Sequence, residues 1–170
     1  MSSESREWMI QWLRDAHAME EQAETMLSGQ LSRIENYPEL SERIRLHLEE
    51  TRQQAARLKT CLDGISEGSS TMKVASGKLT ALAQSISGVF AGDEVMKGSL
   101  ASYTFEHMEI ASYTILIAAA NAEGETQIVQ ACEQNLREEE AMAEWLKSHL
   151  GQTTQTFLSR AAADSDAAKR

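Results

Sequence analysis

The chain has 170 residues and a formal net charge of −10, from 26 acidic and 16 basic residues. This length suggests one domain, which can bury roughly 70% of the unfolded surface. The acidic field disfavours nucleic acid and anionic membranes as partners. With one proline, nine glycines and 5% aromatic residues, the composition favours helices over β architectures. We therefore predict an all-α protein.

Two further features bear on the cellular compartment. The N-terminus lacks the basic and apolar segments of a signal peptide, and the longest apolar run, residues 115–120, is too short to span a bilayer. Cys61 and Cys132 lie far apart in helical apolar patterns and outside any Cys-x-x-Cys pair. We therefore expect a cytoplasmic protein with buried free thiols and no membrane partner.

Hydrophobic periodicity predicts two long helices in the first part of the chain, at about residues 5–35 and 39–66. Residues 36–38 end the first helix, and Pro38 suits the first turn of the second. The apolar stripe of the second helix turns polar at its centre, at His47, Thr51 and Gln54.

Residues 66–92 are rich in serine and glycine, with an amphipathic stretch at about 74–90. This length predicts a helix-containing crossover, because an antiparallel helical hairpin needs only a few connecting residues. Asp93 is predicted to cap a third helix over 93–121. A fourth helix follows over 125–150, with Gly151 as its stop. We expect residues 1–160 to form one bundle and residues 161–170 a flexible tail.

Glutamates lie on or beside the apolar stripes near the middle of each predicted helix: Glu20, Glu50, Glu106 and Glu139. A buried carboxylate without a partner costs several kcal/mol, so a fold that gathers four must supply cations, donors or protons. With a rise of about 1.5 Å per residue, level helix midpoints place them within roughly 5 Å of one plane. Glu109, one turn after Glu106, adds a fifth carboxylate on the same face.

Other glutamates have mostly polar neighbours and are expected on solvated helix faces: Glu24, Glu49, Glu138 and Glu140. Tyr113, one turn past Glu109, is placed to donate its hydroxyl to a ligating carboxylate, and plain packing is the alternative. The carboxylate pattern itself points to a metal site.

Two helices, a long crossover and two more helices are the connectivity of ferritin-like bundles. Four segments also resemble a known family: WLRDAHAMEEQA from residue 12, HLEET from residue 47, FEHMEIASY from residue 105 and EEEAMAEW from residue 138. They are similar to the YciE/YciF family of ferritin-like, stress-associated bacterial proteins. The resemblance implies a rubrerythrin-like four-helix bundle, dimeric, with a candidate di-metal position. It implies no known reaction.

The sequence lacks the histidines that complete a di-iron binding motif. That pattern places a histidine three residues after a ligating glutamate, but Gln53 and Met142 occupy those positions after Glu50 and Glu139. His47 precedes Glu50 by three residues, which makes it a candidate nitrogen ligand or hydrogen-bond partner. His17 stands in the same relation to Glu20 and is a weaker candidate. The candidate ligands are Glu20, Glu50, Glu106, Glu109, Glu139 and His47.

The leading hypothesis is a stress-related metal-binding protein with two iron or manganese ions, acting on peroxide or dioxygen. Magnesium or calcium would also suit an oxygen-rich site. The alternative is a non-enzymatic structural or interaction protein with a vestigial or protonated site. A DNA-sheathing role is disfavoured by the acidic charge, and no redox partner is indicated.

We also expect a homodimer, because several large side chains are predicted to lie outside the core stripe. These are Trp12, Met19, Phe105 and Ile115.

Overall fold

The structure is a computed structural model that describes residues 3–67 and 93–169. Every regular element in these two ranges is a helix, so the predicted all-α fold is confirmed. The four long helices are α1 (Ser3–Leu31), α2 (Pro38–Glu67), α3 (Glu94–Glu123) and α4 (Thr126–Ala163), and a short α5 (Ser165–Lys169) follows. Most of the predicted crossover, including its amphipathic stretch at 74–90, lies outside the described residues.

Helix ends mostly follow the local signals in the sequence. Pro38 opens α2, where its missing N–H is not needed. Gly124 ends α3 with a φ of 75°, and its N–H donates to the Ala120 and Asn121 carbonyls. Asp93 occupies the N-cap position of α3, as predicted, but its side chain makes no capping hydrogen bond and instead pairs with Lys97 at 2.9 Å.

The four long helices form a ferritin-like bundle in which α1 packs against α2 and α3, and α4 packs against α3 and α2. Two apolar clusters fill it. On α2, the first cluster contains Leu58 and Cys61, and the second contains Ile44 and Leu48. In the described residues, no helix is long and apolar enough to cross a membrane.

Between the two clusters lies a layer of polar side chains, each at most 1% exposed, which we call the polar belt. Its members are Glu20, His47, Thr51, Gln54, Ser102, Glu106, Glu109, Asn135 and Glu139. Buried polar groups are normally hydrogen-bonded, and buried charges are normally paired. The belt is therefore the part of the bundle whose presence needs a chemical explanation.

Helix α4 is longer than predicted and passes through Gly151 to Ala163. A single glycine costs a helix interior only about 1 kcal/mol, and tertiary contacts offset this. Phe157 packs against the second apolar cluster, and the Arg160 guanidinium lies 4.7 Å from the Tyr37 ring centroid.

The end of the chain, for which the sequence predicts a flexible tail at 161–170, is helical over most of its described part. The Tyr37 hydroxyl donates to the Ala168 carbonyl at 2.6 Å, and the Asn36 amide donates to the Ala167 carbonyl at 3.1 Å. These bonds join α5 to the turn between α1 and α2.

The side chains predicted to lie outside the core divide into two groups. Trp12 and Ile115 are 38% and 53% exposed, as expected, but Met19 and Phe105 are 1% exposed and belong to the core. Both belong to the first apolar cluster, so packing between the helices covers them. Cys61 and Cys132 are buried free thiols, as predicted.

Candidate metal centre

The polar belt brings three helices together around one point. His47 of α2, Glu106 and Glu109 of α3, and Glu139 of α4 each offer one ligand atom, and these atoms all lie within 4.8 Å of one another. Glu106 and Glu109 converge because side chains three residues apart share a helix face. All four side chains are buried.

His47 lies between carboxylates on both sides of its ring. Its Nε2 lies 3.1 Å from Glu106 Oε2 and 3.3 Å from Glu139 Oε2, while its Nδ1 lies 2.9 Å from Glu50 Oε2. The two Nε2 contacts are at ion-pair distance from buried carboxylates, whereas the Nδ1 contact is a hydrogen bond. Glu50 therefore fixes the ring through Nδ1, and Nε2 points into the cluster.

Several buried polar atoms of the belt have no hydrogen-bond partner in the protein. They are Glu20 Oε2, Glu106 Oε2, Glu109 Oε1, both oxygens of Glu139 and both amide atoms of Gln54. An unsatisfied buried polar group typically costs about 1–3 kcal/mol, and more if it is charged. Such a concentration of unsatisfied buried atoms indicates a site for ions, water or protons.

Burial dominates the electrostatics of the cluster. It raises the pKa of Glu106 to about 8, although the nearby His47 charge opposes the rise. Burial, reinforced by the charge of Glu139, also holds the pKa values of Glu20 and Glu109 well above their ordinary range. For His47 burial alone would lower the pKa, but the Glu106 charge and the carboxylate contacts raise it well above its usual value.

Glu20 is fully buried on α1, beside this group of four. Its Oε1 accepts a short hydrogen bond from the Tyr113 hydroxyl, so the predicted donation from Tyr113 to a candidate ligand is present. The Tyr113 oxygen accepts in turn from Asn135 Nδ2 at 2.8 Å.

Glu50 occupies the rim of the site. Its side chain is 35% exposed and also accepts from Arg43 at 3.3 Å. Although burial raises it, the pKa of Glu50 is lowered on balance by the His47 hydrogen bond and the Arg43 charge. The sequence placed Glu50 at the correct height, but the buried stripe of α2 passes through His47 and Thr51, so Glu50 lies at its edge. The other histidine candidate, His17, is 22% exposed and lies 3.8 Å from Glu21.

The glutamates expected on solvated faces are not all free in solvent. Glu49 and Glu140 are exposed, and Glu24 is partly exposed. Glu138 departs from the expectation: its side chain is only 22% exposed, and both of its oxygens bind Arg57 at 2.8–3.0 Å.

Asn135 and Arg57 were not singled out from the sequence. Asn135 precedes Glu139 by four residues and so shares its face, which was an available signal for a polar residue in the same layer. Arg57 gave no such signal, because only the packing of α2 on α4 brings it to Asn135.

The fold and the site define a class: a ferritin-like helical bundle with a buried cluster of carboxylates around one histidine. The model of the family described as a domain of unknown function, DUF892, matches residues 4–159, and the chain belongs to that family.

Three solved structures are similar over most of the chain. A protein from Xanthomonas campestris pv. campestris is 44% identical with a TM-score of 0.76, covering 92% of this chain and 97% of its own. YcfI of Rhodopseudomonas palustris, described as a candidate structural protein, is 26% identical with a TM-score of 0.72, covering 84% and 92%. The Escherichia coli stress protein YciF is 25% identical with a TM-score of 0.70, covering 88% and 96%. These findings confirm the resemblance to the YciE/YciF family.

Proposed function

We propose that this chain is a metal-binding protein whose buried cluster holds a divalent ion through His47, Glu106, Glu109 and Glu139. The observation that carries the proposal is the convergence of four ligand atoms within 4.8 Å, together with buried carboxylate oxygens that have no hydrogen-bond partner in the protein. Three carboxylates and one imidazole supply the negative charge that a divalent ion would neutralise.

The ligand types favour iron or manganese. A set of carboxylates with one imidazole suits these ions better than soft metals, which prefer thiolates. Cys132, which is fully buried in the first apolar cluster, is not part of the group of four ligands. Glu50 would orient the imidazole through Nδ1, as partners of metal-bound histidines do.

The finer form of the proposal is a pair of ions. Glu20 would contribute to a second position through its Oε2, which has no hydrogen-bond partner, together with Glu109 and Glu139. Such a pair supplies Lewis-acid activation of bound peroxide or dioxygen. The chain itself would exclude bulk water through the two apolar clusters and hold Glu20 through Tyr113. Similarity to the stress protein YciF supports a role in stress.

Metal content and thermal stability test this proposal. Protein purified without chelator and then loaded with Fe(II) or Mn(II) should bind up to two ions per chain, and its thermal midpoint should rise, because the unfolded chain has no preformed site. At an ion concentration of about 100 times Kd the gain is about 2.7 kcal/mol. Glu139→Gln should lose loading, whereas Glu140→Gln, on an exposed face of the same helix, should retain it. Equal midpoints with chelator and with either ion would reject the proposal.

A second candidate is a non-enzymatic structural protein, and a specific observation favours it. Burial raises the pKa values of Glu106 and Glu109, which supports protons as an alternative to ions for neutralising the cluster. The similarity to YcfI points the same way. In that case the bundle would fold to full stability in chelator, and Glu139→Gln and Glu140→Gln would show no difference in metal content.

A further inference from the structure

A continuous chain of hydrogen bonds connects the surface to the candidate metal centre. It begins at the Arg57–Glu138 pair, where α2 meets α4. Arg57 Nη1 donates a short hydrogen bond to Asn135 Oδ1, Asn135 Nδ2 donates to the Tyr113 oxygen at 2.8 Å, and Tyr113 donates to Glu20 Oε1. All four long helices contribute a residue.

Arg57 determines the donor and the acceptor of every hydrogen bond in this series. A guanidinium has donors and no acceptor, so the atom of Asn135 that it contacts must be the carbonyl oxygen. The opposite end of the amide is then the NH₂ group, which can only donate, and the Tyr113 oxygen must accept. With Asn135 Nδ2 donating to it, the phenol is left to donate its own hydrogen to Glu20.

We propose that Arg57 is a positioning residue for the metal centre, which fixes the direction of these hydrogen bonds so that Glu20 keeps Oε1 for Tyr113 and presents Oε2 to the ion. The claim that Glu20 Oε2 binds an ion rests on the proposed function. The claim about the direction of the hydrogen bonds concerns the metal-free protein and does not depend on metal binding. Glu20 Oε2 is buried and has no hydrogen-bond partner, so it is available to bind an ion.

A simple surface ion pair is the alternative role for Arg57, and the chain provides a matched comparison. Arg52 also lies on α2 and pairs with a glutamate of another helix, Glu24, at 2.8 Å. It is 48% exposed and also lies 3.6 Å from Glu49. Arg57 is only 19% exposed and reaches the buried amide of Asn135. If ion pairing were the whole role, removing either arginine would have the same effect.

Raman spectroscopy of the metal-free protein tests the direction. The intensity ratio of the tyrosine doublet distinguishes a phenol that only donates from one that both donates and accepts, and subtraction of a Tyr113→Phe spectrum isolates Tyr113. In Arg57→Met the Asn135 amide is free to turn, so the Tyr113 signal should change towards that of a phenol that only donates. Arg57→Lys, which remains a pure donor, should keep the parental signal.

Two controls separate direction from ion pairing. Glu138→Gln removes the charge partner but leaves Arg57 donating to Asn135, and Arg52→Met removes the comparable pair, so both should keep the parental Tyr113 signal. If Arg57→Met does not fold, Arg57→Gln replaces it, because its amide can donate or accept and no longer imposes a direction. An unchanged Tyr113 signal in the folded arginine variant would overturn the inference.

Mn(II) affinity tests the second part. Loss of a direct hydrogen-bond partner of a metal ligand typically weakens metal binding by about 10-fold to 100-fold. Because Arg57 acts through Asn135 and Tyr113, Arg57→Met should bind Mn(II) more weakly by up to about tenfold, with Arg57→Lys and Arg52→Met close to the parent. Equal affinities in Arg57→Met and Arg52→Met would overturn the role towards the ion. A parent that binds no Mn(II) would refute the proposed function and this role together, whereas the Raman comparison still decides the direction of the bonds.

Discussion

The substitution Glu106→Gln tests the electrostatics of the polar belt in the metal-free protein. Glu106 is 1% exposed, and its pKa rises from an ordinary value of 4.5 to about 8. Between these values the folded state binds more protons than the unfolded state, so the free energy of unfolding falls as the pH rises. Glutamine has nearly the shape of the protonated acid and no proton to lose.

The magnitude follows from the size of the shift. One pKa unit corresponds to about 1.4 kcal/mol, so the interval from 4.5 to neutral pH costs the parent at most about 3 kcal/mol. Near pH ~5 the two proteins should be nearly equal. At neutral pH Glu106→Gln should be the more stable by up to about 3 kcal/mol, less the loss of the Glu106 contact with His47.

Urea unfolding in chelator, followed over a pH range of about 5 to 8, measures this difference. It should widen with pH by at most about 1.4 kcal/mol per unit, while Glu140→Gln should track the parent throughout. A constant difference between Glu106→Gln and the parent across the range would refute the reasoning. With saturating Mn(II) the order should reverse, because only the parent gains binding free energy.

Two further predictions concern the surface and the C-terminal end of the chain. Because Trp12 and Ile115 are exposed, we predict that the chain forms a dimer. Light scattering that gave the mass of one 18.8 kDa chain at micromolar concentration would contradict this. Tyr37→Phe removes the hydrogen bond to the Ala168 carbonyl and should lower the free energy of unfolding by about 1 kcal/mol, as measured by urea denaturation; a loss below the error of the measurement would show that α5 contributes nothing through this bond.

The sequence predicted well how far along its helix each candidate ligand lies. It predicted less well which way each side chain faces. Periodicity and helix midpoints correctly put Glu20, Glu106 and Glu139 in one buried layer. Glu50 was predicted at the same level of the bundle, and it does lie beside His47. However, the Glu50 side chain is at the rim, and His47 occupies the inward position on α2. Height follows from counting residues at about 1.5 Å each, whereas rotation about the axis depends on how each neighbouring helix packs.

The sequence also predicted a helix boundary correctly where the backbone properties of a single residue determine it. Pro38 acts through its own backbone geometry, so its role was readable before any packing was known. Gly151 was misread as a stop, because contacts made by Phe157 and Arg160 offset the cost of a glycine inside a helix. That compensation lies many residues away and leaves no local trace.

The sequence by itself thus determined an all-α bundle, the four long helices and a central layer of carboxylates, because these follow from composition and from spacing within each helix. Only the tertiary structure decided which side chains meet. It left Glu50 at the rim of the site, covered Met19 and Phe105, and placed Arg57 against Asn135. The physical reason is that a helix sequence specifies which residues share a face, while the partner across an interface is set by the relative rotation and offset of two helices.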